Sequence, residues 1–194
     1  MNYLKKVVQP SSEPVTLAEA QLHLRLDTAG SPPSHPDDTL VEALISASRE
    51  NAEQYTSLTI ASCVYEMQGK AEDDELSLQT YPVTSIASVT YHDEDDVTQT
   101  VSASNYYVDN FQRPARLVFK EPAPSQTLTV RFSAGFTDGQ SPNEYPIPSG
   151  IKASILLLLG HLYENRESVT AQSLSEMPMG YLYLLTSHRI NMGL

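Results

Sequence analysis

The sequence contains one cysteine, Cys63, so no internal disulfide can form and folding in a reducing, cytosolic setting is expected. No cleavable leader is expected either, because Leu4-Lys5-Lys6-Val7-Val8 runs directly into Gln9-Pro10 without a long apolar stretch. Basic residues are scarce: 12 Lys and Arg stand against 24 Asp and Glu, a formal net charge of -12. General affinity for a nucleic-acid backbone needs clustered cations and is therefore not expected. Tryptophan, internal repeats and long low-complexity tracts are absent, while 13 Pro and 11 Tyr describe a globular chain with many turns. At 194 residues the chain can bury a core as one domain without covalent staples.

Catalytic and metal signatures are missing too. Gly-x-Ser-x-Gly, the phosphate-cradling loop ending in Gly-Lys-Ser/Thr, and Gly-x-Gly-x-x-Gly do not occur, and Ser133-Ala134-Gly135-Phe136 has no adjacent base. His23, His35, His92, His161 and His188 are scattered, with no His-x-x-x-His pair and no Cys partner at zinc spacing. No catalytic residue, cofactor or metal site is expected.

What is present is a helix signal at 148–167. Pro148 and Ser149 supply a start, and the run Ile155 to Leu159 places an aliphatic side chain on every side of a helix. Burial of Ile151, Ile155 to Leu159 and Leu162 contributes roughly 10–20 kcal/mol before ordering entropy, so neighbours must surround this helix. Lys152 and Glu164 to Glu167 bracket a run far shorter than the ~20 apolar residues of a membrane span.

The remaining chain reads in order. Residues 1–14 are expected as a loose or docked arm. Thr16-Leu17-Ala18-Glu19 is a capping box opening a short helix to about Leu26, stopped by the proline-rich loop 30–36. Asp37 or Asp38 caps a second helix to about Thr56, with Leu40, Val41, Leu44, Ile45, Ala52 and Tyr55 as its buried stripe and Glu42, Arg49, Glu50 and Glu53 facing out. From Ile60 to Phe132 the period changes to two. An antiparallel sheet of about six strands is expected at 62–69, 76–78, 85–91, 97–101 with 106–109, 116–119 and 127–132. Loops follow at 135–148 and 168–178, and Gly180 begins a last helix ending near Arg189, with 190–194 docking on a neighbour. The fold class is α+β: a bundle of N- and C-terminal helices around a central apolar helix, with an inserted antiparallel β region. The expected division of the single domain is 1–59, 60–134 and 135–194.

Three constellations have simple structural readings. His161 and Glu164, one helical turn apart beside Arg166 and Glu167, are helix-end charges before they are an acid and base. The acidic runs 72–75 and 93–96 lack the Gly and closing Glu of a calcium loop and read as solvated hairpin tips. Tyr106-Tyr107, Tyr181 and Tyr183 have no basic groove for base stacking and read as packing.

Four segments together carry a resemblance over most of the chain. They are Val15-Thr16-Leu17-Ala18-Glu19-Ala20 with His23-Leu24-Arg25; Asp37-Asp38-x-Leu40-Val41-x-x-Leu44-Ile45 ending in Glu53-x-Tyr55-Thr56; Tyr81-Pro82-Val83-x-Ser85-Ile86-x-Ser88-Val89-Thr90-Tyr91; and Pro148-x-x-Ile151-Lys152 through His161-Leu162-Tyr163-Glu164-Asn165-Arg166-Glu167. Met177-Pro178 ahead of Leu184-Leu185 and His188-Arg189-Ile190 extends it. In order and spacing they resemble the head-to-tail connector, or head-completion adaptor, family of long-tailed phages in a longer form with an enlarged β region. Thr56-Ser57 departs from a frequent Thr-Gly, and Pro32-Pro33 enlarges the first loop.

The resemblance implies a structural virion protein of the neck, made in the host cytoplasm. Its partners would be copies of itself in a ring of about a dozen subunits, the portal protein, and the next tail component. DNA would pass through without sequence-specific binding, and no membrane is involved. An acidic lumen would let the polyanion slide. Leu156, Leu159, Leu162, Tyr163, Arg166 and Tyr55 are the expected subunit interface. Tyr181, Tyr183, His188, Arg189 and Ile190 are the expected docking residues for portal or tail, within the broader segments 1–14, 135–145 and 180–194. Arg166 is expected to pair with Glu42, Glu50 or Glu53. Two other readings compete: a β-rich module recognising a protein or glycan through Tyr-bearing loops, and a metal-assisted hydrolase using His161, Glu164 and the acidic loops.

Overall fold

A computed structural model describes residues 3–30, 34–137, 145–166 and 179–190. They form four α-helices and eight strands, all strand pairs antiparallel, an α+β fold. The expected loop 168–178 and the tail 191–194 lie outside the described residues. The chain divides into two compact units, one of residues 1–12, 57–146 and 190–194, the other of 13–56 and 147–189.

The first unit holds every strand. One sheet has the order β1-β2-β8-β4-β5, from Tyr3–Val8, Cys63–Gly69, Leu128–Ala134, Val83–His92 and Thr98–Thr100; a second has the order β3-β7-β6, from Glu75–Ser77, Arg116–Phe119 and Tyr106–Asp109. The single sheet of about six strands is thus corrected to two sheets sharing one core. Met67, Val89, Leu128, Val130 and Phe132 from the larger sheet pack with Leu76, Leu117 and Phe119 from the smaller. Along β8 the alternation is strict, Leu128, Val130, Phe132 and Ala134 buried and Arg131 exposed. Register follows from it: Lys5 sits opposite Glu66, and Glu66 opposite Arg131, an outward row of alternating charge that a one-residue slip would drive into the core.

Of the two forms expected for the arm, loose or docked, residues 3–8 take the docked one. They form β1, paired with β2 from Tyr3↔Gln68 to Val8↔Val64 with an irregularity between Lys6 and Val8. The backbone donors and acceptors along that side of β2 need partners, and the first strand supplies them. The acidic runs become turns as expected. Asp73, Asp74 and Asp96 have φ of 51°, 61° and 59°, a region aspartate tolerates better than most residues.

The second unit holds the helices α1 (Leu17–Leu24), α2 (Asp38–Thr56), α3 (Ser149–Glu164) and α4 (Met179–Thr186). The capping box is formed: the Thr16 hydroxyl accepts from the Glu19 amide at 3.2 Å, and Glu19 Oε2 accepts from the Thr16 amide at 2.8 Å. Within this unit α3 packs against each of the other three helices, as its apolar run requires. Two glycines allow close approach. A Cβ on Gly150 would lie 3.3 Å from His188 Nε2, and one on Gly160 would lie 3.4 Å from His23 Nε2.

Arg49 was expected to face out and instead is 3% exposed. Its guanidinium meets Glu13 at 2.7 and 3.3 Å, Glu53 at 2.9 Å and Glu50 at 3.4 Å. Burial alone would weaken its charge, but these carboxylates outweigh it and hold its pKa above the ordinary arginine value. The segment entering α1 covers this side of α2, so helical periodicity alone placed the residue wrongly.

Candidate functional site

The expected interface residues divide by burial. Along α3, Ile151, Ser154, Ile155, Leu158 and Leu159 are buried, while Ala153 and Glu164 are exposed and Leu157 keeps 39% of its surface. At 100° per residue, Ala153, Leu157 and Glu164 share one face, with Gly160 and Gly150 at its margins. The open strip therefore lies between the edge where α1 places His23 against Gly160 and the edge where His188, just after α4, meets Gly150. Two further large apolar side chains of this unit stand in solvent, Leu22 on α1 and Tyr183 on α4, each 81% exposed.

Leu156, Leu162 and Tyr163 are half-buried, and Leu159 is fully buried. Leu157 was not singled out in the sequence, because every residue from Ile155 to Leu159 is aliphatic and only the neighbouring helices decide which remains open.

At the end of α3 the side chains converge on Asp37, just ahead of α2. Its Oδ2 accepts from the Tyr163 hydroxyl and from Arg166 Nη2, both at 2.6 Å, and the Arg166 guanidinium lies 4.4 Å from the Tyr163 ring centroid. Arg166 thus pairs with Asp37 and not with Glu42, Glu50 or Glu53. Asp37 comes at the start of a helix, where an anion is favoured, and it is close enough to reach both groups. The hydrogen bond from Tyr163, followed by that from Arg166, holds the Asp37 carboxyl below the ordinary aspartate value, and the same bond to Asp37 raises the Tyr163 phenol above its own, against the opposing effect of Arg166.

A second convergence joins the end of α2 to the end of α4. Tyr55 Oη lies 3.0 Å from Thr186 Oγ1, and Arg189 sits over the Tyr55 ring at 5.4 Å. Tyr181 is 1% exposed and donates to Asn51 Oδ1 of α2, so it packs inside its unit; Ile190 is likewise buried, at 4%. Of the expected docking residues, Tyr183 and Arg189 are exposed and His188 is half-buried.

His161 Nδ1 faces Asn165 Nδ2 at 3.4 Å, and Glu164 is exposed beside them, an arrangement typical of a helix end. No group of three or more His, Cys, Asp or Glu able to hold a metal ion occurs among the described residues. None of the described helices is long and apolar enough to cross a membrane.

Sequence reasoning also missed a cleft in the first unit, roughly 560 Å³, lined by Tyr81, Val108, Phe111, Arg113 and Tyr145 among others. Phe111 stands fully exposed at its rim on the β6–β7 loop.

No protein-family model matches the chain, and no curated protein matches it in sequence. Solved structures do match. A chain in the neck of an empty GTA particle, computed with C6 symmetry, is 20% identical with a TM-score of 0.75, over 99% of this chain and 97% of that one. A chain in the virion of a native gene transfer agent (GTA) particle is 21% identical with a TM-score of 0.76, over 98% and 97%. A chain in the neck of a native GTA particle, computed with C12 symmetry, is 20% identical with a TM-score of 0.69, over 99% and 97%. The protein has the fold of these chains along almost its whole length.

Proposed function

We propose that the protein is a structural component of the neck of a phage-like particle, a connector that closes into a ring, docks under the portal and forms part of the DNA channel. The observation carrying this reading is the end-to-end match to chains of symmetric neck assemblies, with almost nothing left over on either side. The connector resemblance in the sequence supports the same role independently. A heterologous contact repeated around an axis closes a ring when its rotation closes, here at about a dozen copies.

The open strip of α3 suits such a contact. Leu157 and Ala153, with half-buried Leu156, Leu162, Tyr163 and Tyr55 nearby in the helical unit, form the subunit interface, and Arg166 lies at its edge. Leu159 acts from inside by setting the helix position. Tyr183, His188 and Arg189 form the docking surface toward portal or tail, with Tyr181 as its buried support within the helical unit; Ile190, the first residue beyond that unit, is buried. A net charge of -12 disfavours adhesive contacts with passing phosphates. The reading requires no catalytic group or cofactor. It places the chain in the virion neck, delivered from the host cytoplasm.

Negative-stain imaging of the protein mixed with the portal protein of the same particle tests the reading. Added ring density on one face of the portal, six- or twelve-fold in symmetry, is expected. Bare portals at saturating protein overturn it.

A further inference from the structure

The cleft of the first unit is a built feature. Asn110 fastens the β6–β7 loop to β4, accepting from the Val83 amide at 3.1 Å and donating to the Val83 carbonyl at 2.7 Å, while Asp109 Oδ1 accepts from the Phe111 amide at 2.8 Å. The loop is thereby held in a form that leaves Phe111 wholly in water. Burying such a side chain is favourable, and these bonds prevent the loop from collapsing to bury it within the unit. Beside it the Arg113 guanidinium stacks on the Tyr81 ring at 4.6 Å, and no carboxylate among the described residues pairs with it. In a chain with twice as many acids as bases, a cation left without a carboxylate at an apolar rim calls for an acidic, partly apolar occupant.

The same unit carries that chemistry at its opposite end. β4 runs from Val83 at the cleft to His92 at the β4–β5 turn, nine residue steps or about 30 Å. The turn is held by Asp93, whose Oδ1 accepts from the amides of Asp95 and Val97 at 3.1 and 2.9 Å and whose Oδ2 accepts from Gln99 Nε2 at 2.8 Å. Glu94 and Asp95 are left pointing outward, next to Val97, which is 53% exposed. The other acidic turn, 72–75, is the poorer candidate. Its Glu75 pairs with Arg116, Asp74 accepts from the Ala123 amide, and it carries no exposed apolar side chain.

We propose that the Phe111–Arg113 cleft of one copy receives the β4–β5 turn, Glu94 to Val97, of a second copy. Arg113 meets Glu94 and Asp95, and Phe111 covers Val97. Because the two surfaces lie at opposite ends of one strand, the contact is head-to-tail, the kind that repeats into a ring. The inference rests on the ring reading and adds a second, β-unit contact to the one at α3.

Disulfide trapping tests it. Phe111→Cys and Val97→Cys are made separately in the otherwise native chain, whose Cys63 is buried, and the two proteins are mixed under mild oxidation with the parent as control. Both sites are exposed, so folding is retained. A mixed adduct exceeding each homodimer by about tenfold is expected. Arg113→Glu on the Phe111→Cys copy should abolish that excess, and Glu94→Lys with Asp95→Lys on its partner should restore it. A statistical mixture, no adduct, or preferential trapping of Phe111→Cys by Glu72→Cys overturns the proposal. Portal-bound rings without the mixed adduct remove this contact alone; bare portals with the mixed adduct remove the ring reading and leave the pairwise contact.

Discussion

Leu157→Glu is the sharpest perturbation of the assembly reading, because it separates the stability of a subunit from the stability of a ring. Leu157 retains 39% of its surface in the subunit. Covering that remainder yields about 0.39 of the roughly 1.5–3 kcal/mol that a fully buried leucine contributes, or ~0.6–1.2 kcal/mol per contact. Leu157→Ala should therefore weaken each contact about 3- to 8-fold, and the loss multiplies around a ring. Leu157→Glu also places an unpaired carboxylate in the contact, a penalty of several kcal/mol that no ring tolerates at every subunit. Within the subunit the same change is mild, since glutamate is nearly as good a helix former as leucine and its head reaches water. Urea unfolding followed by circular dichroism should place Leu157→Glu within about 1 kcal/mol of the parent. Negative-stain images with portal should show wild-type rings, sparse rings for Leu157→Ala and none for Leu157→Glu. Undiminished rings from Leu157→Glu would refute the assignment of this strip, and so would a collapse of subunit stability by several kcal/mol.

Three further outcomes test the reading of the subunit. Arg49→Ala leaves Glu13 and Glu53, whose side chains are 28% and 11% exposed, without their cation and should cost about 3–5 kcal/mol in urea unfolding; Glu50→Ala, at a side chain 59% exposed, should cost under ~0.5 kcal/mol. Gly135→Ala should cost about 3 kcal/mol or more, since its φ is +134° and the added Cβ would fall 2.6 Å from Ser62 Cα; a change under 1 kcal/mol would contradict the packing. The Asp37 link has two pH limits. Its lowered carboxyl makes the link complete above the ordinary aspartate value of 3.8 and lost as pH falls through the lower folded value. The raised Tyr163 phenol keeps its proton past 10.0, so the link fails again only as pH rises through that higher value. Asp37→Asn should bring the Tyr163 titration, followed by NMR of labelled tyrosine, back toward 10.0; an unmoved titration would show that Asp37 does not control the phenol.

The parts legible in the sequence were those governed by local physics. The Thr16 to Glu19 cap, the aliphatic run of α3 and the two-residue alternation from Ile60 to Phe132 each follow from groups a few residues apart. Long-range partnership was not legible. Tyr3 to Val8 carries two lysines and precedes Gln9-Pro10, and nothing within that window says that β2 has a side to fill. Alternation identifies a strand but not its sheet, so two sheets sharing a core read as one. Arg49 occupies a helical position that faces water in isolation, and its burial is offset by Glu13, 36 residues earlier, together with Glu53 on its own helix.

The candidate contact surface shows the same division at finer scale. From Ile155 to Leu159 the side chains are chemically interchangeable, and the helix alone provides no reason to leave one of them open. What distinguishes Leu157 lies on either side of it: Gly160 lets His23 close one margin, and Gly150 lets His188 close the other. Had both neighbours reached across, α3 would be sealed and the subunit would present only charge along it. The two glycines hold those neighbours at the margins, so the strip is bounded, and its width set, by the packing of the helical unit itself. Filling the margin at Gly160 with a leucine should push α1 away and widen the strip, loosening the subunit while leaving Leu157 still more exposed. Reduced urea stability, together with stronger binding of an apolar dye to the helical unit, is the signature of that displacement. A variant as stable as the parent and equally dark to the dye would mean that α1 is not held by this contact.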